Sequence, residues 1–96
     1  MDLERMQALL TALQEVEDNL AAATALEREQ QLQTEAVAAA QRALDVVSNQ
    51  YRAGTVGYLN VITAQATVLS AQRSLIDVRS RRLAAVNTLL KNVAGS

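Results

Sequence analysis

Apolar side chains recur at alternating steps of three and four along nearly the whole chain, the spacing of helices that meet along a seam. In the first half the row is Leu9, Leu13, Val16, Leu20 and Ala23. It fades through the polar patch Glu27 to Glu35, which holds a single leucine, and returns as Val37, Ala40, Leu44, Val47 and Tyr51. Ala23 and Val37 stand two whole heptads apart, so phase is kept across the patch and the spacing predicts one helix over residues 2–52. A loop at Gln30 and Gln31 is the alternative, although the patch contains neither glycine nor proline.

The second half predicts a helix over 58–93 with two apolar rows. Leu59, Ile62, Ala66, Leu69, Ile76, Leu83, Val86 and Leu90 form one, interrupted by Arg73 and Ser80. Val61, Ala64, Val68, Ala71, Leu75, Val78, Ala85 and Leu89 form the other, with Arg82 as the exception. The remaining strip, from Asn60, Thr63 and Thr67 to Asp77, Arg81 and Lys91, is polar. Each row needs its own neighbour, and a lone two-helix hairpin covers one of them. The expectation is an all-α chain, a long antiparallel two-helix coiled-coil hairpin spanning 1–96 as a single domain, that self-associates into a helical bundle.

Between the two patterns lies Y-R-A-G-T-V-G-Y-L, Tyr51 to Leu59, which holds both aromatic residues and two of the three glycines. Gly54 tolerates the positive φ that closes a helix C-terminus, and Thr55 or Gly57 suits the N-cap of the next helix, with Asn60 in its first turn. This predicts a tight reversal over 53–57.

Composition narrows the function. There is no histidine and no cysteine, so the side chains most used for proton transfer, thiolate chemistry and metal binding are missing, and no catalytic site, metal site or cofactor is expected. No apolar run approaches the roughly 18 residues that cross a bilayer as a helix, and the opening M-D-L-E-R lacks the features of a signal peptide. A net charge of −1 without a basic stripe speaks against nucleic acid. The charge is unevenly divided. Residues 1–52 carry nine acids against four arginines, and residues 53–96 carry five basic residues against Asp77. With a turn centred near Thr55, residues whose numbers sum to about 110 lie side by side, because both helices rise equally per residue. That register brings Arg79, Arg81 and Arg82 opposite the Glu27 to Glu35 patch and Lys91 near Asp18.

The string A-L-D-V-V-S-N-Q-Y-R-A-G-T-V-G-Y-L-N-V-I-T-A-Q-A-T-V-L-S-A-Q, Ala43 to Gln72, resembles the distal hairpin of the outer membrane efflux protein family, the TolC-like and OprM-like channels that include NodT-type lipoproteins. Thr11 to Ala21, T-A-L-Q-E-V-E-D-N-L-A, resembles the run leading into that hairpin. The resemblance implies one periplasmic hairpin of a homotrimeric Gram-negative outer-membrane channel, part of a tripartite pump for drugs and other small molecules of the kind that confers multidrug resistance. It implies as partners a periplasmic adaptor (membrane fusion) protein and, through it, an inner-membrane pump. It also implies that the tip Tyr51, Arg52, Ala53, Gly54, Thr55, Val56, Gly57, Tyr58 and Leu59 docks the adaptor, and that Asn60 and Thr63 occupy a pore constriction that is acidic in TolC-like members. Both are uncharged here, so a constriction at these positions is steric or hydrogen-bonded. The barrel strands, the lipid-attachment cysteine and the second hairpin of the family have no counterpart in these residues. Two readings stay open: a generic coiled-coil scaffold or oligomerisation module, which accounts for the heptads and leaves the tip unexplained, and a purely structural role for Tyr51 and Tyr58 in stapling the arms.

Overall fold

The computed structural model describes residues 2–95; Met1 and Ser96, which the expected hairpin includes, lie outside the described residues. The chain is all-α: helix α1 is Leu3–Arg52, helix α2 is Tyr58–Ala94, and no strand occurs among the described residues. The patch Glu27 to Glu35 is helical throughout, which removes the loop at Gln30 and Gln31. Threonines inside these long helices return their hydroxyls to the carbonyl one turn back, as Thr34 does to Gln30 and Thr67 to Thr63, so they do not divert the backbone.

Contacts divide the chain into two compact units: Glu29–Arg79, termed the tip unit, and Met1–Arg28 with Ser80–Ser96, termed the arm unit. In the tip unit Val37, Ala40, Leu44 and Val47 of α1 face Val61, Ala64, Val68, Ala71, Leu75 and Val78 of α2. Alanines alternate with valine and leucine, which lets the backbones approach closely while the larger side chains fill the gaps. All the fully buried side chains of the described residues lie here, Val78 the deepest at 2% exposure. Each valine or leucine so covered contributes about 1.5–3 kcal/mol.

In the arm unit the inward row of α1 is Ala12, Val16, Asn19, Ala23 and Leu26, and that of α2 is Arg82, Ala85, Leu89 and Asn92. This corrects the expected row. Leu9, Leu13 and Leu20 are exposed. Counting back in sevens from Val37 and Ala40 leads to Val16 and Ala23 and to Ala12, Asn19 and Leu26, whereas Leu13 and Leu20 stand one residue out of phase. Leu9 keeps the phase, but the residue opposite it in the register lies beyond the end of α2 at Ala94. At Arg82 the expected register is met, with Nη2 lying 4.0 Å from Glu27 Oε1. Lys91 lines a cleft with Ala12 and Glu15.

Candidate functional site

The reversal is built by one backbone dihedral and four hydrogen bonds. Gly54 has φ of +80°, the left-handed conformation that costs an L side chain and not glycine. With that residue turned, the Gly54 amide donates to the Tyr51 carbonyl at 2.9 Å and the Thr55 amide to the Gln50 carbonyl at 3.0 Å. This is the Schellman arrangement, which satisfies carbonyls that the last turn of α1 would otherwise leave unpaired. Thr55 adds its hydroxyl to the same Gln50 carbonyl at 3.0 Å. Thr55 therefore serves the end of α1, and Gly57 stands at the N-cap of α2, where its carbonyl accepts from the Asn60 amide at 3.1 Å. A Cβ at Gly54 or Gly57 would meet nothing within 4 Å, so the surface around both is open.

Across the reversal the Tyr51 and Tyr58 rings lie 5.2 Å apart at 54°, a tilted aromatic pair that joins the last turn of α1 to the first turn of α2. Both rings keep about half their surface, 44% and 53% exposed, so the pair has an outward side as well as a stapling contact. Val56 is half-buried in the loop; Arg52, Ala53 and Thr55 are exposed. Leu59 is 73% exposed, and Ile62, one turn on along the same row, is exposed beside it. Ile62 was not among the expected tip residues, though its three-residue step from Leu59 signals the shared face.

Asn60 and Thr63 are exposed on the first turns of α2, and the Thr63 hydroxyl donates to the Leu59 carbonyl at 3.0 Å. Farther along the tip unit, Leu69 and Ile76 continue the exposed row of Leu59 and Ile62. At about 100° per residue this row lies roughly 150° around α2 from the row that faces α1. The two seams of α2 are thus separated by structure as by spacing: α1 covers the Val61 row, and the Leu59 row is open. No cluster of metal-ligating side chains occurs among the described residues. What the tip offers is apolar contact, two tyrosine rings and an open backbone.

The sequence model of the outer membrane efflux protein family matches residues 1–95. The pyoverdine export outer membrane protein OpmQ of Pseudomonas aeruginosa is 34% identical over 89 residues, 93% of this chain and 19% of that protein. The probable efflux pump outer membrane protein TtgC and the toluene efflux pump outer membrane protein TtgC, from two strains of Pseudomonas putida, are each 35% identical over 93% of this chain and 18% of their own length. The chain thus spans about a fifth of the length of the curated relatives it matches. No solved structure matches it.

Proposed function

The chain belongs to the outer membrane efflux protein family, a family of transport proteins, and from that premise we propose that it is a wall segment of a periplasmic efflux tunnel whose tip docks an adaptor. The observation that carries this reading is the second apolar row of α2. Leu59, Ile62, Leu69 and Ile76 stay exposed although α1 already covers the opposite side of the helix. A helix in the wall of a closed tunnel has a neighbour on each side, and a row of this kind is what the second neighbour needs. The tunnel belongs to a trimeric channel, and the polar strip with Asn60 and Thr63 borders its narrow end. Conduction is passive and requires no catalytic group, since an inner-membrane pump supplies the energy. No helix among the described residues is long and apolar enough to cross a membrane, which agrees with a periplasmic location for this segment.

The tip is the docking element. Val56, Tyr58 and Leu59 place apolar surface where a reversal would ordinarily be polar, and an adaptor hairpin end can reach the backbone at Gly54 and Gly57. A single charge there tests it. Val56→Asp is expected to weaken binding of the purified cognate adaptor at least tenfold, about 1.4 kcal/mol and a floor for burying an unpaired carboxylate at an apolar contact, with the helical circular dichroism unchanged. Equal affinity of both forms would remove the tip from the interface. The small molecules conducted follow from the pump partner; one relative is named for pyoverdine export and another for toluene efflux.

A further inference from the structure

In the tip unit the α1 residues Leu32, Ala36, Ala39, Ala43 and Val46 step by four and three, and they stand one position ahead of the inward row: Ala36 before Val37, Ala39 before Ala40, Ala43 before Leu44 and Val46 before Val47. The polar strip of α2 has the same relation to its own inward row, with Asn60 before Val61, Thr63 before Ala64, Thr67 before Val68 and Ser74 before Leu75. In an antiparallel pair equal offsets turn toward the same side, so the two rows form one face, and all of these residues are exposed. The charges of the unit lie elsewhere. Asp45 and Arg52 follow Leu44 and Tyr51 by one and fall on the opposite side; Glu35, Arg42 and Arg73 stand two positions from the inward rows, on the backs of their helices. On the shared face the first ionisable groups are Glu29 and Asp77, at the end of the unit away from the reversal.

The face also offers little that would hold a solute. The Thr63 and Thr67 hydroxyls donate to the Leu59 and Thr63 carbonyls at 3.0 and 3.1 Å, so these donors are engaged within α2. On α1 the row is alanine bounded by Leu32 and Val46, which carry no hydrogen-bonding side chain. We infer that α1 lines the passage together with α2 through this shared face, Ala36, Ala39 and Ala43 beside the strip that begins at Asn60, and that this stretch admits small organic solutes of either sign of charge. Fixed charge in a narrow bore concentrates one sign of ion and repels the other, and a lining without it favours neither. Conduction also needs contacts weak enough to release what enters, which alanine and engaged hydroxyls provide. The inference rests on the tunnel reading and adds to it which side of α1 meets the solute.

Thiol labelling of the parent channel in planar bilayers tests this. Ala39→Cys is expected to lose conductance in steps on treatment with a methanethiosulfonate reagent. Ala38→Cys, which follows Val37 by one and so lies on the opposite flank of α1, is expected to show no change, and Asn60→Cys to respond as the marker of the tunnel itself. At Ala39→Cys the rates for a cationic and an anionic reagent are expected to keep the ratio that free cysteine shows, within about threefold, because no fixed charge concentrates either ion. Block at Asn60→Cys without block at Ala39→Cys would overturn the lining by α1 and leave the tunnel standing; silence at both would overturn the tunnel with it. Block at Ala38→Cys in place of Ala39→Cys, or a preference of about tenfold or more for one sign of reagent, would also overturn the inference.

Discussion

At the scale of single residues, Gly54 carries the reversal. Its φ of +80° is the one left-handed backbone conformation among the described residues, and the space beside it is empty, so alanine there meets a conformational cost and no clash. Gly54→Ala is expected to destabilise the chain by about 1–2 kcal/mol in urea unfolding, whereas Gly57→Ala, with ordinary φ and equal space, should cost less, about 0.5 kcal/mol as an N-cap change. Equal losses at the two glycines would mean that the reversal does not depend on the left-handed turn. Gly54 was legible in the sequence because glycine after a heptad run has one common use. Thr55 was not: its amide and hydroxyl are equally suited to ending α1 or starting α2, and only the placed Gln50 carbonyl decides between them.

At the scale of the helix, α2 shows how two chemically similar rows come to differ in consequence. Val78 is sealed against α1 and Leu69, though larger, lies open. Val78→Ala removes two buried carbon centres and is expected to cost about 1.5–3 kcal/mol. Leu69→Ala should stay within about 0.5 kcal/mol. Chemical denaturation of both variants checks this, and a larger loss at Leu69 would show that the Leu59 row is covered even in the isolated chain. The rows of α2 were both readable from spacing. The α1 row in the arm unit was misread because leucine outweighs alanine and asparagine in bulk, and bulk at Leu13 and Leu20 drew the row one residue out of phase with Ala12 and Asn19. Heptad phase counted back from Val37 was the better guide.

At the scale of the whole molecule, the division of charge between the helices favours an antiparallel pair, and Arg82 with Glu27 is one contact of that kind. An exposed pair of this kind is worth about 0.2–1 kcal/mol, so it chooses alignment more than it holds the fold. On the proposed tunnel reading, Asn60 and Thr63 leave the narrow end without fixed charge. In the parent channel reconstituted in planar bilayers, Asn60→Asp with Thr63→Asp is expected to shift the reversal potential toward cation preference, because carboxylates at a constriction concentrate cations. An unchanged reversal potential would place these residues away from the conduction path.

Period, reversal and charge are local properties, set by which side chains follow one another, and for that reason the two helices, their turn at Gly54 and their antiparallel register follow from the order of residues alone. Which apolar row is hidden is not local. It depends on how α1 and α2 meet, and the alternation of alanine with valine and leucine from Val37 to Val47 and from Val61 to Val78 makes that meeting the closest one available. The coverage of the Val61 row, the exposure of Leu59 and Leu69, the outward turn of Leu13 and Leu20, and the approach of the Tyr51 and Tyr58 rings were therefore decided by packing, since burying one face of a helix necessarily presents the opposite face to whatever lies beyond.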